Sequence, residues 1–426
     1  MMKYNELSKE QRDAELSALW EDMNAIKEKG LQLNMVRGVP SPEQLALSKE
    51  MLNVLYAEAD CTAEDGTDCR NYGVMDGIPE CKRLMADVLG VTPDMVMIGG
   101  NSSLNMMFDT ISCFMNHPVV PGNPAWSLIP DRKFLCPVPG YDRHFGVTGY
   151  FGFEMIPVMM DDNGPDMDKV EELIQDPSVK GMWCVPKYSN PTGISYSDEV
   201  VRRIAAMKPA APDFRLMWDN AYCIHDLTDE HDEILNIFEE CEKTGNVDMP
   251  IEFCSTSKIT FPGSGVAAMA ASENNMRVIK EKYQYQTIGY DKLNMLRHVR
   301  FFGDYEGMKA HMKKHAAVLK PRFDVVLSKL GTLEDTGAVW FNHPRGGYFV
   351  SVNVMDGTAK RVVALCKEAG VNLTGAGATY PYGNDPYDSN IRIAPSFPSL
   401  EELSSAMDVF CICARIAALE KMNALI

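Results

Sequence analysis

No Cys-x-x-Cys pair occurs among the twelve cysteines, which are scattered from Cys61 to Cys413. That absence excludes the paired-cysteine metal ribbon and the dithiol redox motif, and leaves buried free thiols in a reducing compartment as the expectation. The eight histidines are equally dispersed. His311 and His315 have the four-residue spacing that metal ligands use on a helix, but Lys313 and Lys314 beside them read as a solvated helix face. Positive charge is scarce as well: 41 Lys and Arg stand against 59 Asp and Glu, for a net charge of -18. Such a surface repels phosphate backbones and anionic lipid, so neither nucleic acid nor a membrane is an expected partner. Long apolar runs are missing, because charge, Pro or Gly interrupts each one before it reaches bilayer length. The opening residues, Met1-Met2-Lys3-Tyr4-Asn5-Glu6, form no apolar signal core, and a cytoplasmic location is expected. No internal repeat or low-complexity segment is present.

What the sequence does have is core-forming material: 46% of its 426 residues are hydrophobic, ample for one large domain and a smaller one. Residues 5–30 read as an amphipathic helix ending at Gly30, 31–42 as extended, and 43–56 as a second helix. Short apolar strands are expected at 95–98, 133–138, 155–159, 181–185, 215–218, 251–254 and 266–271, with helical runs between several of them. This alternation predicts an α/β fold with a mostly parallel central sheet covered on both faces. After residue 290 the pattern changes. A charge-rich helical stretch covers 292–330, interrupted near Gly303 and Gly307. A strand at 347–352, a helix at 358–369, a strand at 390–394 and a final helix at 400–422 follow. The expected division is a large domain over 57–300 and a smaller α+β domain made from 1–56 and 301–426.

The residue that carries most chemistry is Lys258, in Ser255-Thr256-Ser257-Lys258 directly after the apolar run at 251–254. A lysine amine at the end of a buried strand loses its proton more readily and becomes a nucleophile toward carbonyls. Upstream lie Asn190-Pro191-Thr192-Gly193 and Asp219-Asn220-Ala221-Tyr222. Taken alone, Asp-Asn and Asn-Pro are ordinary turn signals. In series with Lys258 they resemble the active site of a pyridoxal-phosphate-dependent aminotransferase of fold type I.

Such a site needs an acid at the pyridine nitrogen, an aromatic face for the ring, donors for the phosphate and a cation for the substrate carboxylate. Asp219, at a strand's C-terminal end, is the candidate acid, since a buried carboxylate demands a cationic partner. Tyr222 and Asn190 are placed to hydrogen-bond the ring oxygen. The turn Gly99–Ser103 opens a helix after a strand, so Gly100, Asn101, Ser102 and Ser103 offer amide and side-chain donors to a phosphate. Ser255 and Ser257 are close enough to Lys258 to join them. Tyr141 is the candidate for the stacked ring, with Trp126 as its rival. Tyr72 is placed to reach a neighbouring subunit's phosphate. Arg392, a charge within the alternating strand Ile391-Arg392-Ile393, is suited to grip a carboxylate bidentately.

Order and spacing resemble the class I aminotransferases from about residue 31 onward. Four segments are similar to one branch, the bacterial aspartate aminotransferases called subgroup Ic: residues 291–298, 346–351, 374–379 and 390–395. This resemblance implies pyridoxal 5'-phosphate as cofactor and a homodimer with shared active sites. It also implies transfer of an amino group from L-aspartate to 2-oxoglutarate. By motif, Lys258 carries the cofactor and moves the proton at Cα, Asp219, Tyr222 and Asn190 tune the ring, and Arg392 binds the α-carboxylate. For the side-chain carboxylate the candidates are Arg37 and Arg297, followed by Arg143 and Arg345. One departure stands out. Many class I enzymes carry an arginine shortly after the lysine, whereas here the stretch is Phe261-Pro262-Gly263-Ser264-Gly265-Val266. Hydrogen bonds, Ser264 among them, or a cation from elsewhere must then meet the phosphate. The same fold also hosts β-lyases, decarboxylases and aminotransferases for alanine or aromatic amino acids. It occurs as a non-enzymatic sensor domain too, which the acidic N-terminal stretch here disfavours.

Overall fold

The computed structural model describes residues 3–36, 38–56 and 60–424; Arg37 and the expected domain boundary at 57 lie outside the described residues. An eight-stranded sheet forms the larger layer. Its spatial order is Val96–Ile98, Ala267–Ala271, Pro250–Ser255, Arg215–Asp219, Val179–Cys184, Lys133–Val138, Glu154–Asp161 and Gly164–Pro165. Five neighbouring strands, from Pro250–Ser255 to Glu154–Asp161, run parallel, while Ala267–Ala271 and Gly164–Pro165 pair antiparallel to theirs. The strands Val179–Cys184, Arg215–Asp219 and Ala267–Ala271 are buried along their whole length, as near-continuous apolar runs require when helices cover both faces. Ligands of open α/β sheets bind beyond the strands' carboxyl ends. Here those ends deliver Asp219 and the Ser255–Lys258 segment.

A three-stranded antiparallel sheet, Val339–Phe341, Val350–Val354 and Asn390–Ile393, places Ser351 opposite Arg392. The helix Leu400–Ala424 packs in the same core as this sheet. The N-terminal helix Lys9–Glu28 joins it: Arg415 pairs with Glu15, and Arg12 donates to Asn423 at 3.0 Å. Leu33–Asn34 pairs in parallel with Val371–Asn372. Among the described residues no helix is long and apolar enough to cross a membrane.

Three expectations need correction. The strand expected from residue 347 begins at Val350. Gly346 and Gly347 instead form a turn against Tyr188, where a Cβ on Gly346 would lie 2.1 Å from the ring and Gly347 has φ +84°. The second helix is shorter than expected: Pro42–Leu47 is α-helical and Lys49–Asn53 continues as a 3₁₀ turn. The third correction is chemical. His311 and His315 are not on a solvated face but buried, at 4% and 0% exposure. Residues four apart share a helix face with Met308, Met312 and Leu319, which face the core, while Lys313 and Lys314 turn away. His311 Nε2 lies 3.0 Å from the Ile259 carbonyl and 3.1 Å from His315 Nε2. Gln44 contacts His315 Nδ1 at 3.2 Å and donates to the Tyr348 hydroxyl at 2.7 Å. Among the described residues no group of three or more His, Cys, Asp or Glu side chains is arranged to hold a metal.

Burial pulls His298 and His315 down from 6.5 to about 4. The unfolded chain therefore binds more protons than the folded one between those values, and stability rises with pH across that window. The stabilisation is complete above 6.5 and is lost as pH falls toward 4. Chemical denaturation between pH 7 and pH 4 should show this fall, and His315→Gln should flatten it. An unchanged slope in the variant would contradict the assignment.

Candidate active site

A cavity of about 270 Å³ opens at the carboxyl ends of the parallel strands, where Lys258, Asp219, Tyr222, Asn190, Tyr141, Ser102, Ser103, Ser255, Ser257 and Arg392 meet in its lining. These residues come from segments more than 200 positions apart, and the topology alone brings them together.

Lys258 ends a short 3₁₀ turn that follows the strand Pro250–Ser255. Its Nζ lies 5.4 Å from the Tyr222 ring centroid and 5.8 Å from that of Tyr348. Burial lowers its pKa, and the Arg392 charge adds to that, while Asp219 opposes it. The amine is therefore biased toward its neutral, nucleophilic form. Tyr222 is 2% exposed, and its pKa is held well above 10, chiefly by burial, so its phenol is a standing donor.

Asp219 closes the strand Arg215–Asp219 and is 3% exposed. One carboxylate oxygen, Oδ2, lies 2.9 Å from His144 Nε2. The other, Oδ1, is buried and has no partner. Leaving such an atom unpaired costs about 1–3 kcal/mol. His144 stacks on Trp183 with ring centroids 4.1 Å apart and planes within 4°, which fixes its orientation. The sequence reading missed His144. The available signal was its place three residues after Tyr141, in the first turn of Asp142–Tyr150.

Tyr141 lines the cavity at the cap of that helix, and burial raises its hydroxyl to about 12. Trp126 does not compete for this role: it is fully buried in the core beneath the sheet, where its indole donates to Asp213 at 3.0 Å. Ser102 caps the helix Ser103–Asn116 by accepting from the Leu104 amide. Ser255 and Ser257 hydroxyls are 3.1 Å apart, and Ser257 donates to the Asn101 carbonyl at 3.0 Å. Gly100 and Asn101 do not line the cavity. Gly100 pairs with Ala267 through its carbonyl, and the Asn101 amide donates to the Pro262 carbonyl at 3.3 Å. They brace the serine loop from behind.

Arg392 is 7% exposed, stacks 4.8 Å from the Phe349 ring centroid, and divides Nη1 between Asp142 at 2.9 Å and Asn190 at 3.3 Å. Its buried Nε has no partner. Asn190 accepts from Arg392 through Oδ1, which leaves its amide nitrogen available as a donor. Asp142 is a second residue the sequence reading missed; it sits 250 positions from the arginine it holds.

Four further candidates lie outside this cavity. Arg297 and Ser264 do not line the cavity. The helix Lys292–Phe302 directs Arg297 onto Ser264, at 2.6 Å from its hydroxyl, and onto Asn294. Tyr72 is 83% exposed and projects from the surface. Arg345 is also outside, 3.7 Å from Asp232 beside a different cavity.

Pyridoxal phosphate fits this arrangement on the chain's own evidence. The unpartnered Asp219 oxygen calls for a cationic N–H, Tyr222 and Asn190 offer donors to a ring oxygen, and the serines with a helix N-terminus suit a phosphate. With no arginine following Lys258, the cavity's hydroxyl donors would have to carry more of a bound phosphate's charge. Ser257→Ala should weaken binding of pyridoxal phosphate to the cofactor-free protein by roughly tenfold or more, the scale of one charge-assisted hydrogen bond. Fluorescence titration measures it, and unchanged affinity would remove Ser257 from the phosphate site.

Comparison with known proteins agrees with the geometry. Residues 5–425 match the family model described as aspartate amino-transferase. The chain is 49% identical over 399 residues to an aspartate aminotransferase of Corynebacterium glutamicum, covering 93% of this chain and 91% of that one. The crystal structure of an aspartate transaminase from the same species superposes with a TM-score of 0.96 at 46% identity, covering 99% of both chains. An α-aminoadipate aminotransferase of Thermus thermophilus, complexed with N-(5'-phosphopyridoxyl)-L-leucine, shares the fold at TM-score 0.73 and 19% identity over 95% of this chain and 96% of that one. The chain is an aminotransferase of fold type I and belongs to the aspartate aminotransferase family.

Proposed function

We propose that this enzyme moves the amino group of L-aspartate to 2-oxoglutarate, with pyridoxal phosphate as its cofactor. The observation that carries this reading is the convergence, in one cavity, of a nucleophilic lysine, a buried carboxylate with an unpaired oxygen and a buried arginine with unpaired N–H capacity. When bound, the cofactor supplies an electron sink that acidifies the substrate's Cα–H. The chain's residues do the rest. Lys258 holds the cofactor and moves the proton at Cα. Asp219, oriented by His144, keeps the pyridine nitrogen protonated. Tyr222 and Asn190 donate to the ring oxygen. Tyr141 covers one ring face, and Ser102, Ser103, Ser255 and Ser257 hold the phosphate. Arg392 grips the α-carboxylate that aspartate, glutamate and their keto acids share, so one anchor serves both half-reactions.

The reading extends to assembly and organisation. A homodimer in the cytoplasm is proposed, with Tyr72 reaching the neighbouring subunit's phosphate; its 83% exposure supports that role. The division into a large domain over 57–300 and a small domain from 1–56 and 301–426 is supported by the segregation of the two main sheets.

Two measurements test the roles. Borohydride reduction of the yellow holoenzyme, followed by digestion, should leave the pyridoxyl group on the peptide containing Lys258; labelling of another lysine would overturn that assignment. Asp219→Asn should keep the cofactor but lower turnover on the order of a thousandfold, the scale of a lost electrostatic contact in a water-excluded site. For the substrate, a panel of amino donors should rank aspartate above alanine and aromatic amino acids, with turnover dependent on added keto acid. Turnover without keto acid would indicate lysis instead.

A further inference from the structure

We propose that Arg143 reads the substrate's side-chain carboxylate. This deepens the dicarboxylate reading and rests on it. The described residues that line the cavity include only three lysine or arginine side chains: Lys258, Arg392 and Arg143. Lys258 is committed to the chemistry, and Arg392 is held at the α-carboxylate end by Asp142, Asn190 and the Phe349 ring. Arg143 makes no hydrogen bond or ion pair to any described residue and is exposed at the cavity mouth. It is thus a pocket cation whose counter-charge the described chain does not supply.

Its backbone position is fixed from both sides. Arg143 lies in the first turn of the helix Asp142–Tyr150. The residue before it bonds the Arg392 anchor, and the residue after it bonds the Asp219 carboxylate. Position 143 therefore stands in sequence between the residue at the α-carboxylate end and the residue at the pyridine end of the site. A long, flexible guanidinium there can close on a second carboxylate bidentately. The other described candidates are engaged elsewhere: Arg345 with Asp232 and Arg297 with Ser264 and Asn294. An unmet cation in the pocket would also select against alanine, since a short substrate leaves the charge without a partner.

The test uses holoenzyme, two substrates and one non-reacting probe. For Arg143→Gln, kcat/KM for aspartate should fall roughly ten- to a hundredfold, mainly through KM, while alanine changes little. Succinate, titrated through the cofactor's absorbance, should bind more weakly by a similar factor, and propionate should not. Arg143→Lys should restore part of the loss, and wild-type-like cofactor absorbance in both variants reports an intact fold. Equal losses for aspartate and alanine, or no loss for either, would overturn the role of Arg143 while leaving the dicarboxylate reading standing. If wild-type enzyme itself preferred alanine to aspartate, the dicarboxylate reading would fall and this proposal with it.

Discussion

A carboxylate buried with one oxygen unpaired organises this active site. Asp219 lies at the end of a central parallel strand, 3% exposed, with Oδ2 bonded to His144 and Oδ1 bonded to nothing. In a finished hydrophobic core such an atom is a defect. In a cofactor site it is a stored demand for a positive charge, satisfied when a protonated pyridine nitrogen arrives. The carboxylate is held in place because its own strand is fully buried and His144, which bonds Oδ2, is stacked flat on Trp183.

The remaining chemistry is arranged around that fixed point. Burial depresses the Lys258 pKa, and the same burial keeps the Tyr222 phenol protonated, so one low-dielectric wall produces both a nucleophile and a donor. Behind the lysine, the Tyr348 hydroxyl is tied to Gln44, and His311 contacts the Ile259 carbonyl. The lysine segment is thereby braced by buried polar groups. Arg392 is held between Asp142, Asn190 and Phe349 before any substrate carboxylate binds, which lowers the ordering cost of recognition.

What was legible in the sequence follows from how local each signal is. The strands before Asp219 and Lys258 are continuous apolar runs, and the functional residues follow them directly, so fold and chemistry could be read from one stretch. Asn190 was legible from the local Asn-Pro-Thr-Gly turn motif, and Arg392 as a lone charge inside the alternating strand Asn390–Ile393. His144 and Asp142 were not, because each acts through a partner 75 or 250 positions away. Trp126 and Tyr141 could not be separated by type, since only the tertiary structure shows which aromatic ring enters the core. The two histidines at 311 and 315 were misplaced because adjacent lysines suggested solvent, whereas the i, i+4 periodicity with methionine and leucine decides the face. Arg297 was a natural candidate by residue type, but a helix that points it at Ser264 removes it from the cavity.

The role we propose for Asp219 is to hold a proton on the cofactor's pyridine nitrogen. The most direct measurement is nitrogen-15 NMR of the protein reconstituted with pyridoxal phosphate labelled at that nitrogen. The expected chemical shift is that of a protonated pyridine, persisting well above the pH at which the free cofactor loses its ring proton. An unprotonated shift at neutral pH would contradict that role.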